Sequence, residues 1–377
     1  MTRYYREAAR PPAYGISRAP NLPPAPSRDG SLNTPQDTRL ALARTWLQSL
    51  PADLGLRLDT LEPASADASF RRYFRLQAAA GTLIVMDAPP PNEDVRPFLH
   101  VGGLLQDAGL NVPRALAQDA AQGFLLLTDL GRDTYYQRIQ AGLDERQLQS
   151  LYHDALAALV RMQQAATTGL AAYDAPRLLD ELALFPQWYV GVHHETTLDT
   201  ATTAALQQIF VLLSESNGSQ PTVLVHRDYH SPNLMVCDQP AYGPNPGVID
   251  FQDALAGPIT YDLASLVTDA RTTWEEPQQL DWAIRYWEMA RKAGLPVDAD
   301  FAEFHRAYEW MGLQRNLRIL GVFARLNHRD GKAHYLAHMP RVNGYVRQVA
   351  QRYGAFKPLL RLLDKLDDRD VKVGYTF

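Results

Sequence analysis

The sequence predicts an α+β protein with two lobes, a small β-rich N-terminal lobe and a larger, mainly helical C-terminal lobe. Three observations lead to this fold class. Short apolar runs of strand-forming residues are concentrated in the first third of the chain. From about Leu143 the apolar spacing becomes helical and continues to the C-terminus. The section from Val223 to Gln252 interrupts the helices with short apolar runs separated by turn residues.

The chain of 377 residues is long enough for two lobes that share a cleft. Residues 1–33 are rich in Pro and Arg and show no apolar periodicity, which predicts a disordered tail. We place the N-terminal lobe, with a leading helix, at 34–130 and the C-terminal lobe at 131–377.

The leading helix is predicted in "TPQDTRLALARTWLQSL", where Thr34 can cap, Pro35 suits the first helical position and Asp37 completes a capping box. The rest of the N-terminal lobe has three strand-like runs and one helix. The strands are predicted at 69–76, 82–88 and 123–130, and the helix near 94–108.

The C-terminal lobe begins with a long amphipathic helix, "ERQLQSLYHDALAALVRMQQ". Further on, "NLMVCDQ" and "GVIDFQD" are joined by the loop "PAYGPNP", which predicts a hairpin. Helices are expected from about residue 260 to the end.

The overall charge and composition favour a cytoplasmic protein without a nucleic acid or a membrane as partner. The net charge of −5 disfavours a nucleic acid or an anionic membrane as partner. Cys237 is the single cysteine, as suits a reducing compartment, and no apolar run is long enough to span a membrane. Nothing in the sequence indicates an obligate protein partner.

The stretch "LVHRDYHSPNLMV", which begins at Leu224, contains candidate catalytic residues. Asp228 and Asn233 are five residues apart, and Asp250 follows a later apolar strand. Phosphoryl transfer needs such a set, because one carboxylate deprotonates the attacking hydroxyl while hard oxygen ligands hold Mg²⁺ on the phosphates. We predict Asp228 as the base and Asn233 and Asp250 as metal ligands. The alternative is a buried loop in which His226 and Asp228 only satisfy backbone groups.

The chain resembles the aminoglycoside-phosphotransferase branch of the protein-kinase-like fold. More narrowly, it is similar to the anomeric N-acetylmuramate/N-acetylglucosamine kinases of bacterial cell-wall recycling. The matching segments span about 35–370 and are "ASFRRYFRL", "VMDAPP", "LLLTDLG", "HRDYH", "VIDFQDALAGPITYDLASL" and "LQRNLRILGVFARL".

The resemblance implies an ATP- and Mg²⁺-dependent kinase that phosphorylates the anomeric hydroxyl of an amino sugar. It assigns nucleotide binding to the N-terminal lobe and the catalytic and acceptor sites to the C-terminal lobe. The hinge between the lobes would bind adenine at Thr128, Asp129 and Leu130. Asp262 would tie the following helix to the catalytic loop.

The N-terminal lobe lacks the lysine that kinases use to hold the phosphates of ATP. The first lysine in the chain is Lys292, and Met86 stands about where the phosphate-binding lysine is expected. Arginine can bind phosphate in its place. Of the three arginines in "SFRRYFRL", we predict that Arg72 or Arg75 contacts phosphate, with Ser69 in a covering loop. The alternative is surface charge or an ion pair with Glu93 or Asp94.

A small acceptor is expected, because only "FQDALAGPIT" separates Asp250 from the next helix and leaves no room for a peptide-docking segment. The predicted acceptor contacts are Tyr229 and His230 beside the base, and Arg315 and Asn316 in the later helices. His230 is a weaker alternative as base.

Two other functions remain open from the sequence. One is a kinase for an aminoglycoside, choline or a similar amine. The other is a catalytically inactive kinase-like binding module, which the missing lysine favours and the intact Asp228, Asn233 and Asp250 disfavour.

Overall fold

The structure, a computed structural model, describes residues 37–64 and 71–367. The expectations for residues 1–33 and for Ser69 therefore lie outside the described residues. Within them, an antiparallel sheet of the N-terminal part is followed by a larger, mainly helical part, as the sequence predicted.

The N-terminal part is a five-stranded sheet with strand order β1-β2-β3-β5-β4. Helix α1 packs on one of its faces and α2 connects β3 to β4. The elements are α1 (Thr38–Gln48), β1 (Arg57–Pro63), β2 (Arg72–Ala78), β3 (Gly81–Asp87), α2 (Arg96–Asp107), β4 (Ala115–Asp119) and β5 (Phe124–Thr128). Strands β1 and β4, the two edges, were not predicted.

Helix α1 starts later than the sequence suggested. Asp37 is the N-cap, and its side chain accepts a hydrogen bond from the Leu40 amide at 3.0 Å. Thr34 and Pro35 lie outside the described residues, and Asp37, which the sequence assigned to the capping box, is itself the N-cap that satisfies the first turn.

The two faces of β2 have different environments because successive side chains alternate. Phe74 and Leu76 pack with Trp46 of α1 in one cluster, whereas Tyr73 packs against the core that continues into the helical part. Arg72 consequently faces α1, and Arg71 faces the opposite side with Tyr73.

Eleven helices are assigned in the described chain, nine of them in the helical part. They are α3 (Tyr135–Ala141), α4 (Glu145–Met162), α5 (Ala175–Leu182), α6 (Thr200–Gly218), α7 (Tyr261–Val267), α8 (Glu276–Lys292), α9 (Phe301–His328), α10 (Met339–Arg352) and α11 (Lys357–Leu366). A π-helical segment, Phe185–His193, follows α5 and packs against α9. In the described residues, no helix combines the length and the apolar character that crossing a membrane requires.

Four short strands lie between α6 and α7 and form two antiparallel pairs. They are β6 (Thr222–Val225), β7 (Leu234–Met235), β8 (Gly247–Val248) and β9 (Leu255–Pro258). β6 pairs with β9, and β7 pairs with β8, which confirms the predicted hairpin. The loops that leave β6 and β8 carry Asp228 and Asp250, so these pairings bring the predicted catalytic and metal residues together.

Candidate active site

The catalytic loop, residues 226–233, is anchored from beneath by Asp262. This carboxylate is fully buried in α7 and accepts hydrogen bonds from the backbone amides of His226 at 2.7 Å and Arg227 at 3.0 Å. Arg227 has φ 76°, a left-handed conformation that non-glycine residues rarely adopt. Asp262 thus holds a strained turn immediately before Asp228, and the expected tie between α7 and the loop is confirmed.

The pKa of Asp228 lies below its ordinary value. Burial alone would raise that pKa, but His230, Arg318 and Arg315 together lower it by more. Burial in turn lowers the pKa of His230 to about 4. Asp228 is therefore ionised and able to accept a proton.

Asn233 and Asp250 lie side by side across from Asp228. Asn233 Nδ2 donates to the backbone carbonyl of Asp228 at 2.9 Å and lies 3.5 Å from Asp250 Oδ2. Because its nitrogen is engaged there, the amide oxygen of Asn233 remains as a ligand atom. An amide oxygen next to a carboxylate is a donor set suited to Mg²⁺, whose remaining ligands are commonly phosphate oxygens and water.

Asp250 has a left-handed backbone conformation and a hydrogen-bonded carboxylate. Its φ is 64°, and Gln252 Nε2 donates to its Oδ1 at 2.9 Å. Burial, together with the nearby charge of Asp228, raises the pKa of Asp250. A bound cation would favour the ionised form of Asp250.

Arg71 is the arginine that faces the cleft. Its Nε donates to Glu93 Oε2 at 2.8 Å, just before α2. Burial opposes ionisation, but Glu93, Tyr73 and Asp250 raise the pKa of Arg71. The charge of Arg71 is thus within electrostatic range of Asp250, where the phosphates of a metal-bound nucleotide would lie.

The two arginines predicted to contact phosphate have other partners, and both predictions are corrected. Arg72 lies on the α1 face of the sheet and pairs with Asp37 and with the buried carboxylate of Asp87. Arg75 is buried at the hinge, where it binds Asp129 at 2.6 and 3.0 Å and the Gly131 carbonyl at 2.6 Å.

The hinge residues are ordered by these contacts. Asp129 also accepts a hydrogen bond from the Gly131 amide at 3.1 Å, so its carboxylate is a structural anchor. The Thr128 amide donates to the Arg114 carbonyl at 3.0 Å. Within the described residues, the Leu130 amide donates no backbone hydrogen bond.

Of the two residues predicted to flank the base on the acceptor side, one is excluded. Tyr229 is fully buried, and its hydroxyl donates to the Ala155 carbonyl at 2.8 Å, so it belongs to the core and the prediction of an acceptor contact is wrong. His230 is partly exposed beside Asp228, with its Nδ1 3.8 Å from Asp269 Oδ1.

Arg315 and Asn316 occupy the middle of α9, and both are buried. Asn316 Nδ2 lies 3.5 Å from Thr268 Oγ1, and the residue lines a cavity of about 20 Å³, room for roughly one water molecule and not for a sugar. The predicted acceptor contact of Asn316 is therefore not supported. Arg315 lies within electrostatic range of Asp228.

Residues 60–301, which include the catalytic loop and Asp250, match the phosphotransferase enzyme family. The chain belongs to this family. Its activity is accordingly that of a phosphotransferase, and the buried-loop alternative for "HRD" is set aside.

Curated relatives cover most of this phosphotransferase. An N-acetylmuramate/N-acetylglucosamine kinase of Pseudomonas aeruginosa is 46% identical over 328 residues, which is 87% of this chain and 92% of the relative. A protein of the same name from Neisseria meningitidis is 42% identical over 337 residues, which is 89% of this chain and 98% of the relative.

Solved structures share the fold at low sequence identity. An aminoglycoside phosphotransferase with bound ADP superimposes with a TM-score of 0.54 at 13% identity and covers 82% of this chain and 97% of its own. A choline/ethanolamine kinase family protein from Mesorhizobium loti gives a TM-score of 0.53 at 14% identity and covers 87% and 99%. These likenesses support the two-lobed kinase-like fold.

Two carboxylates of the phosphotransferase site, one buried and one partly buried, were not found from the sequence. Asp269 accepts from the Ser231 amide at 3.1 Å and from its hydroxyl at 2.5 Å, and so holds the end of the catalytic loop. Glu181 of α5 accepts from Arg227 Nη2 at 2.9 Å and lies 3.1 Å from Arg318 Nε. Both reach the loop from distant elements, and no local pattern marks them.

Proposed function

We propose that this phosphotransferase is a cytoplasmic sugar kinase that transfers the γ-phosphoryl group of ATP to the anomeric hydroxyl of N-acetylmuramate and N-acetylglucosamine. The products would be sugar 1-phosphates used in peptidoglycan recycling. The observation that carries the proposal is the ionised Asp228 on an anchored, strained loop opposite Asn233 and Asp250. The names of the curated relatives support the choice of sugar.

Asp228 is the proposed general base, and its lowered pKa bears on the acceptor. A carboxylate with a lowered pKa is a weak base, which suits a relatively acidic hydroxyl. The anomeric hydroxyl of a sugar is more acidic than an ordinary alcohol. A weak base on a rigid loop is thus matched to an anomeric acceptor.

The residues present fit a magnesium ion. Asn233 and Asp250 would hold it through an amide oxygen and a carboxylate. When bound, Mg²⁺ neutralises charge on the phosphate oxygens as the phosphoryl group moves.

The nucleotide would lie between the hinge and the metal ligands. The free Leu130 amide is the proposed hydrogen-bond donor to adenine, with the neighbouring Thr128 and Asp129 shaping the hinge. Arg71 is the proposed phosphate contact in place of the missing lysine, because it is oriented by Glu93 and lies near Asp250.

Charges around the base favour a neutral or anionic acceptor over a cationic one. Arg315 and Arg318 on α9 both influence Asp228, and Arg227 precedes it. Arg227 and Arg318 are paired with Glu181, which leaves Arg315 as the guanidinium of this group that would repel the ammonium groups of aminoglycosides and choline. The amine-kinase alternative is therefore disfavoured, although solved structures of that kind share the fold.

The test is ADP release from the purified chain with Mg·ATP and each of four acceptors: N-acetylmuramate, N-acetylglucosamine, kanamycin and choline. We expect turnover with the two sugars, and a loss of about 10²–10⁴-fold in Asp228→Asn. Phosphorus NMR of the product then locates the phosphate. Turnover only with an amine would refute the sugar assignment, and no turnover with any acceptor would support the inactive-module alternative.

A further inference from the structure

Arg315 is a buried cation that forms no ion pair with the described residues, and the charges of Asp228 and Asp262 act on it at longer range. It is 3% exposed, and its Nε and Nη1 are buried with no hydrogen-bond partner in the part of the chain that the structure describes. Buried N–H groups without an acceptor are unfavourable, so a guanidinium kept in this state is one whose donors an anionic ligand would complement.

The position of Arg315 over the catalytic loop follows from its neighbours on α9. Arg318, on the same helix face one turn later, meets Glu181, which in turn binds Arg227 at the start of the loop. Asn316 lies beside Thr268, and the next residue, Asp269, binds Ser231 near the end of the loop. Arg315 therefore lies along the loop between these two ends.

The acceptor would lie on the side of Asp228 away from the proposed metal ligands. Asn233 and Asp250, the proposed metal ligands, are grouped at the end of the loop and on the adjoining hairpin. Arg71 adds to that group from the N-terminal part, where it pairs with Glu93. Helix α9 instead packs against α7, the helix that carries Asp262. Arg315 on α9 therefore lies apart from the groups proposed to hold the triphosphate.

We propose that Arg315 forms a carboxylate-binding subsite that recognises the lactyl group of N-acetylmuramate. The inference rests on the proposed function and adds to it a determinant of choice between the two sugars. N-acetylmuramate carries a lactyl carboxylate where N-acetylglucosamine has a hydroxyl, and a guanidinium binds carboxylate with charge-assisted hydrogen bonds. Arg318 is already compensated by Glu181, so Arg315 is the group available for that anion.

The test compares kcat/KM for the two sugars in wild type, Arg315→Met and Arg315→Lys. We expect Arg315→Met to lower kcat/KM for N-acetylmuramate by about 10–100-fold relative to N-acetylglucosamine, as befits a hydrogen-bonded charge pair. The kcat/KM ratio of Arg315→Lys should lie between those of wild type and Arg315→Met, because lysine keeps the charge and loses the fork geometry of the guanidinium. Any effect of Arg315 on Asp228 applies equally to both sugars, so it cancels in the ratio of their kcat/KM values.

Arg306→Met is the matched control, since it removes an exposed guanidinium that pairs with Glu303 on the same helix. It should leave the ratio between the sugars unchanged. A second test changes the substrate instead of the fold and uses N-acetylmuramate with its carboxylate converted to an amide. For wild type, kcat/KM should be about 10–100-fold lower with the amide than with the acid, whereas for Arg315→Met the two values should be nearly equal.

The outcomes distinguish a failure of the proposed Arg315 subsite from a failure of the proposed kinase function. Equal losses for both sugars in Arg315→Met, or an unchanged ratio, would overturn the subsite while sugar turnover by wild type upholds the kinase. An amide accepted as well as the acid by wild type would also overturn it. If wild type turns over neither sugar, the proposed function fails and the subsite fails with it.

Discussion

Asp262→Asn should lower the activity without lowering the stability of the fold. The pKa of Asp262 is raised to about 6 by burial, which means that its ionised form costs the folded state about 3 kcal/mol at neutral pH compared with an ordinary aspartate. Asparagine removes that charge. It also turns an N–H group toward one of the two backbone amides that Asp262 satisfies, at a cost of about 1–3 kcal/mol. The free energy of unfolding should therefore stay the same or rise by up to about 2 kcal/mol.

Activity should fall in the same variant. Releasing one backbone amide loosens the strained turn at Arg227, and a misplacement of Asp228 by an ångström is worth about 10²-fold in rate. The assays are sugar-dependent ADP release and thermal unfolding at pH 7. Asp281→Asn is the matched control, because the Asp281 side chain lies at the surface and pairs with Arg285 on the same helix. A kcat within threefold of wild type, or a large drop in Tm, would refute the reasoning.

The same carboxylate predicts a pH dependence. Because the folded-state pKa of Asp262 is raised, its contribution to stability is fully present below about pH 3.8 and is lost as the pH rises through about 6. The Tm difference between wild type and Asp262→Asn should therefore shift in favour of wild type as the pH falls from 7 to 5. A pH-independent difference would contradict this assignment.

Three further substitutions test the roles assigned to charged side chains. Arg71→Met should raise KM for ATP by at least about tenfold, because a charged phosphate contact is lost. Arg72→Met is the control and should leave KM for ATP within twofold of wild type. Equal effects of the two substitutions would refute the assignment of the phosphate contact to Arg71 instead of Arg72. Arg75→Met should destabilise the fold by about 3–5 kcal/mol in chemical unfolding, because it leaves Asp129 buried and unpaired, and a loss under 1 kcal/mol would contradict that. Glu181→Gln should lower kcat for sugar about tenfold at constant KM for ATP, and an unchanged kcat would assign Glu181 to the core alone.

The sequence was informative where the signal is local. Apolar runs predicted β2, β3 and β5, and spacing in "HRDYHSPN" predicted the pairing of Asp228 with Asn233. The edge strands β1 and β4 were missed because neither contains a fully buried residue, so neither is marked by a continuous apolar run.

Strand alternation correctly separated Arg72 from Arg71 and Arg75, but it could not show which face of β2 meets the cleft. That depends on where α1 packs, a long-range contact without a local signature. Glu181 and Asp269 illustrate the same limit, since each reaches the catalytic loop from an element more than 35 residues away along the chain.

The pKa values of Asp228 and Asp250 are shifted in opposite directions by their surroundings. His230 and the arginines on α9 lower the pKa of Asp228, whereas burial and the charge of Asp228 raise that of Asp250. Two carboxylates with divergent pKa values take different roles. Asp228, which is already ionised, is fit to accept the proton of the acceptor, and Asp250 gains most from a cation.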